Sequence, residues 1–132
     1  MCSTPLARAG AQQIVDAGVT AVIGSMCSNG AAAVSNYFVE RDTFIPIVVG
    51  DATSMLLSDP GQFPYFLRTA SPEPPDAMFN LTFSLGFRRL VLFHNDDLWS
   101  ATMTSICVRL FEQNGVSFKA VSIPFESSQV EV

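Results

Sequence analysis

VTAVIGSMCSNG, residues 19–30, is an apolar run that enters a small polar turn and opens a helix. Val19–Gly24 has the β-branched composition of a buried strand. GSMCSNG (24–30) carries glycine at both ends of its turn. The design recurs downstream, where FIPIVVG (44–50) runs into DATS (51–54). Strand ends that deliver Ser and Thr hydroxyls and free backbone N–H groups make a cradle for a small anionic or zwitterionic guest.

The surrounding chain places these turns in an α/β frame. Ser3-Thr4-Pro5 is an N-cap with a first-turn proline, and Leu6, Ile14 and Val15 with three alanines form a helical stripe that stops at Gly18. Val19–Gly24 is a strand, and Ser28 caps a helix through about Glu40. Ile45–Val49 is the next strand. Asp51–Gly61 is loop, with Asp59-Pro60-Gly61 as a turn. Tyr65–Arg68 is a short strand. The proline-rich 71–76 stretch caps a helix to about Leu85, ended by Gly86. Arg89–Phe93 is a strand with 94–97 as its exit loop. Trp99–Gln113 is a helix, and Ser117–Ile123 a final strand. Helices alternating with short Val/Ile/Leu strands imply a mostly parallel sheet covered on both faces, a three-layer αβα fold. In such sheets ligands bind at the carboxyl ends of the strands. The polar clusters 25–29, 51–54 and 94–97 all fall there.

Composition narrows the function classes. The 132 residues are 48% hydrophobic and 14% charged, as expected of a core-rich globular chain. With seven basic residues, a net charge of −5 and no basic stripe, nucleic acid is not an expected partner. No apolar run is long enough for a membrane span. Both ends read as cut from something longer, since a helix opens the chain and a strand nearly closes it. The three cysteines, Cys2, Cys27 and Cys107, allow either three core thiols or one disulfide and a free thiol. No CxxC or His-rich cluster suggests a metal, and no cofactor is expected.

Other motifs are weaker. GSMCSNG lacks the Gly-Lys-Ser/Thr ending of a phosphate loop and is not GxGxxG. His94 with Asp96 and Asp97 has the residue types of acid–base machinery, but no Ser or Cys sits in a nucleophile elbow. Two Asp residues in such a loop read more simply as turn residues, and three ligands within four residues match no metal spacing. Asn80-Leu81-Thr82 is a glycosylation sequon inside an expected helix. Trp99 is either a packing anchor or an aromatic lid.

AVIGSMCSNG, AAAVSNYFVE, FIPIVVGDATSMLLSD, PYFLRTASPEPPDA and RRLVLFHNDDLWS, in this order, resemble the type I periplasmic-binding fold. That family includes the leucine/isoleucine/valine-binding proteins of ABC transporters and the ectodomains of natriuretic-peptide and class C receptors. The resemblance implies two α/β lobes around a ligand cleft, with residues 1–87 part of the first lobe and 88–132 the start of the second. It implies a ligand set of Ser28, Asp51, Ala52 and Thr53, with Ser28 on a carboxylate and the Ala52 carbonyl and Thr53 hydroxyl on the ammonium and carboxylate ends. Trp99 stands where amino-acid-binding members carry an aromatic, commonly Tyr, that closes from the second lobe. The second-lobe acid that would grip an ammonium falls outside the chain. Cys2 and Cys27 match a disulfide pair of the leucine-binding members, which implies the periplasm or cell exterior and leaves Cys107 a buried thiol. The implied function is non-enzymatic binding of a small amino-acid-like ligand for a membrane permease, or alternatively for the chain's own receptor transmembrane and signalling domain. An enzyme using His94 is the other reading.

Overall fold

A computed structural model describes residues 2–95 and 97–122. Helix α1 (Thr4–Asp16) starts as its sequence implies: Ser3 Oγ accepts from Leu6 N at 3.4 Å, with a proline in the first turn. Strand β1 (Val22–Ile23), helix α2 (Ser28–Glu40), strand β2 (Ile47–Val49) and strand β3 (Phe66–Arg68) follow. Then come α3 (Pro75–Ser84), β4 (Arg89–His94), α4 (Leu98–Gln113) and β5 (Ser117–Ser122). The two sheets, β1-β2-β3 and β4-β5, are both parallel. This is the α/β architecture that the alternating pattern implies. Asp96 and Ile123, both named in the sequence reading, lie outside the described residues.

The described residues form two compact units, one ending at Pro72 and the other starting at Glu73. Helix α3 packs against α4 and so groups with β4 and β5. The proline-rich stretch is thus both the approach to α3 and the join between units.

In the first unit α1 lies along α2, and α2 lies against β2. Ala11 and Ala31 are fully buried, and such small side chains let two helices approach closely. Register sorts the sheet into faces: Val22, Ile47 and Phe66 align, as do Ile23, Val48 and Leu67. The first set turns inward with Val49, whereas Ile23 is 90% exposed. Phe38, Ile47 and Val49 are almost fully buried. Burying one such side chain contributes about 1.5–3 kcal/mol.

In the second unit Cys107, Phe111 and Val116 form the core, with Phe79, Leu90 and Met103 packed on it. Phe79 meets Phe111 edge-to-face at 5.2 Å. Along β4 the inward residues are Leu90, Leu92 and His94, and the outward Val91 and Phe93 are exposed.

Two local readings are corrected. The first strand is shorter than 19–24, because ladder pairing begins only at Val22 N to Pro46 O and ends with Gly24 N to Val48 O. The stretch 51–61 is not all loop: Met55–Ser58 is a 3₁₀ helix, anchored by the buried Leu57.

Candidate functional site

The loops leaving β1 and β2 meet. Ser28 Oγ accepts a hydrogen bond from Ser54 N at 3.2 Å, and both residues are buried. This contact joins the start of α2 to the DATS segment across 26 residues of chain. Ser28 is not the N-cap that its position suggested. Cys27 takes that place in an extended conformation, with no side-chain cap bond, so the helix begins at Ser28 and its hydroxyl reaches outside the helix.

The turn before Ser28 is tightly specified. Ser25 holds a positive φ of 68°, a region rarely used by a residue with a Cβ. Its hydroxyl donates to Cys27 O at 3.1 Å. A Cβ at position 30 would stand 2.6 Å from Ser25 Oγ, so Gly30 is needed for this close approach. Strain of this kind persists where surrounding structure over-determines it. Part of that structure is covalent: Cys2 and Cys27 form a disulfide, with their Cα atoms 5.7 Å apart. Cys107 is a buried free thiol whose burial, with Asp76 a lesser cause, raises its pKa.

The DATS segment has its own clamp, which the sequence reading missed. Arg68 Nη1 donates to Ala52 O at 3.2 Å and to Ser54 O at 2.9 Å, while Nη2 bonds Ser58 Oγ. One guanidinium therefore holds the carbonyls on both sides of Thr53. Its bonds are to carbonyls and a hydroxyl, and desolvation pulls its pKa down. The available signal was register. Arg68 aligns with the buried Val49, an inward position where a charged side chain must find partners.

The sequence-derived residues divide accordingly. Ser28, Ala52 and Thr53 are gathered within the first unit, Ala52 fully buried and Thr53 half-buried, with Asp51 exposed. The Ala52 carbonyl already accepts from Arg68, which leaves one lone pair for another donor. Trp99 belongs to the second unit, on the first turn of α4, where it lines a recess with His94 and Met103. Asp97 caps α4 by accepting from Ser100 N at 2.8 Å, and His94 Nδ1 lies 2.8 Å from the Asn95 carbonyl.

Residues 1–130 match the receptor family ligand binding region. The chain belongs to that family. Membership accounts for the α/β architecture and makes ligand binding the general function of this region. No curated protein matches the chain. Among the described residues no helix is long and apolar enough to cross a membrane.

Proposed function

We propose that the chain is the binding part of an extracytoplasmic solute receptor that holds a small amino-acid-like ligand and changes no bond in it. The observation that carries this reading is the Ser54 N–Ser28 Oγ bond, which brings two hydroxyl-bearing strand-end loops to one place. In this reading Ser28 and Thr53 serve the ligand carboxylate, Ala52 lies buried behind them with its carbonyl held by Arg68, and Asp51 borders them. Trp99 is the second unit's candidate contact. Residues from the first unit belong to one lobe and those of the second to the other. The Cys2–Cys27 disulfide supports the periplasm or cell exterior, where such bonds persist. Asp97, one of the carboxylates of the enzyme reading, is engaged as a helix cap.

The partner is a permease of an ABC amino-acid transporter. The family's description as a receptor region favours a second reading, a membrane receptor whose own signalling domain reads the ligand. Flanking gene sequence separates the two: a membrane span leading into a signalling domain identifies the receptor. Ligand binding is tested by thermal shift of the full protein against a panel of amino acids. A rise of several degrees with one class, lost in Ser28→Ala and Thr53→Ala, is the expected result. No rise with any amino acid overturns the assignment.

A further inference from the structure

The first unit holds a recess of about 280 Å³, formed by the end of the Met55–Ser58 3₁₀ helix, the 60–64 loop and β3. Leu57, Phe63, Pro64 and Phe66 supply its apolar wall. Phe63 and Phe66 meet edge-to-face there, with ring centroids 6.5 Å apart. Ser58 and Arg68 supply its polar groups, and the two are bonded to each other, Arg68 Nη2 donating to Ser58 Oγ. The Nη2 edge of the guanidinium thus lies where two lining residues meet.

A guanidinium has five N–H donors. Among the described residues three are used: both of Nη1, on the carbonyls of Ala52 and Ser54, and one of Nη2, on Ser58. Nε–H and one N–H of Nη2 are left. Nε and Nη2 share one edge of the fork, an edge that suits the two oxygens of a carboxylate. Neutral oxygens are all that Arg68 bonds, and its positive charge has no carboxylate beside it among the described residues. Asp59, the acid next to Ser58, accepts instead from Gly61 N at 2.8 Å, and the ion pair among the described residues joins Arg8 to Glu40. Burial alone moves the Arg68 pKa, downward, as expected of a cation with no opposite charge at hand. A half-buried, unneutralised cation at the rim of an apolar cavity is the pattern of a small-molecule site: the cavity receives an apolar body, and the charge orients it.

We propose that this recess binds a small monocarboxylate with an aromatic or branched aliphatic body, its carboxylate on Arg68 Nε and Nη2 and its body against Phe63 and Phe66. The single cation fixes the charge, because a partly desolvated guanidinium gains most from one ionised partner in bidentate contact. Ser58 Oγ accepts from Nη2 and keeps its own O–H to give to the same carboxylate. The two rings fix the body, since aromatic faces and edges pack best against another ring or a branched chain. The volume fixes the size, being just below the range of roughly 300–1,000 Å³ typical of drug-sized ligands. None of Ser28, Asp51, Ala52, Thr53 and Trp99 lines this recess, so the site is separate from the amino-acid site proposed above.

The full protein is titrated against 4-fluorophenylacetate and, separately, against its neutral counterpart 4-fluorophenylacetamide, and the fluorine resonance of each probe is followed. A saturable shift is expected for the carboxylate, with half-saturation at about 1 mM or below. The amide should bind about tenfold more weakly, since it lacks the charge that Arg68 meets. Arg68→Met should abolish saturation by the carboxylate. Because Arg68 also holds the Ala52 and Ser54 carbonyls, a second pair of variants leaves that clamp alone. Leu67 lines the recess from an exposed position on β3. Leu67→Glu should weaken the carboxylate about fivefold relative to Leu67→Gln, which has the same shape without the charge. Ser28→Ala and Thr53→Ala should leave the carboxylate titration unchanged. A shift that grows linearly without saturating overturns the proposal, as do equal affinities for acid and amide or for Leu67→Glu and Leu67→Gln. Loss of binding in Ser28→Ala or Thr53→Ala also overturns it, by placing the probe at the amino-acid site. Titration with amino acids on the same preparation reads that other site, so failure of one assignment is distinguishable from failure of the other.

Discussion

The strand-to-helix turns after β1 and after β4 follow one plan and are braced in different ways. After β4 the bracing is local: Asp97 caps α4 through Ser100 N, and Ser100 Oγ ties back to Asn95. After β1 the bracing is remote: Ser28 reaches Ser54, the disulfide reaches Cys2, and Arg68 on β3 holds the segment that Ser28 touches. A locally braced turn can be built from a few neighbouring residues and leaves the adjoining recess open. A remotely braced turn fuses two loops into one surface, and its shape depends on residues far away in sequence. Polar groups gathered in this second way form a site only when every brace is in place.

Breaking the braces in turn tests that contrast. The largest loss is expected on replacing Cys2 and Cys27 by Ala. The bond closes a loop with a sequence separation of 25, and its removal should cost roughly 3 kcal/mol in a urea unfolding series under oxidising conditions. Arg68→Met comes next. It strips the clamp from the carbonyls of Ala52 and Ser54, and a loss of about 2 kcal/mol is expected, with amino-acid binding weakened alongside. If Arg68→Met leaves both stability and binding unchanged, the clamp does not position Thr53.

Gly30→Ala should cost about 1 kcal/mol, because the new Cβ forces Ser25 Oγ off the Cys27 carbonyl. The same change in a Ser25→Gly background should cost less, since the blocking hydroxyl is gone. Equal costs in both backgrounds would show that the close approach is not what selects glycine.

The smallest effect concerns the surface pair of Arg8 on α1 and Glu40 on α2. The hydrogen bond from Arg8 lowers the Glu40 pKa. A carboxylate with a lowered folded pKa stabilises above its ordinary range, and the contribution is lost as pH falls through the lowered value. Acid unfolding of Glu40→Gln should therefore show a slightly flatter fall in stability below about pH 4.5 than the parent. Added salt should shrink the difference, as both groups are exposed.

Much of the frame was legible because period and punctuation carried it. Ser3 and Pro5 marked the start of α1, and the apolar Ile47–Val49 run marked β2. The loop residues Ser28 and Thr53 were legible as candidates because hydroxyls at strand ends are a local pattern. Arg68 was not, since an arginine ending a short strand looks like a surface charge until register sets it beside Val49. The N-cap position of Cys27 was missed because Ser is the better capping residue by chemistry, and tertiary pairing with Ser54 drew Ser28 away from that role. The recess beside Arg68 gave no signal at all. A cavity is a property of its surroundings, and no pattern from 57 to 68 marks one.

The amide of Ser54 has one more effect. A serine oxygen is ordinarily two-faced, able to give a proton or to take one. At Ser28 one of the two lone pairs is already taken by a neighbour, so what is left to an arriving group is the hydrogen and a single lone pair. A single backbone contact thus tilts an undecided oxygen toward giving its proton, and that tilt favours negatively charged visitors.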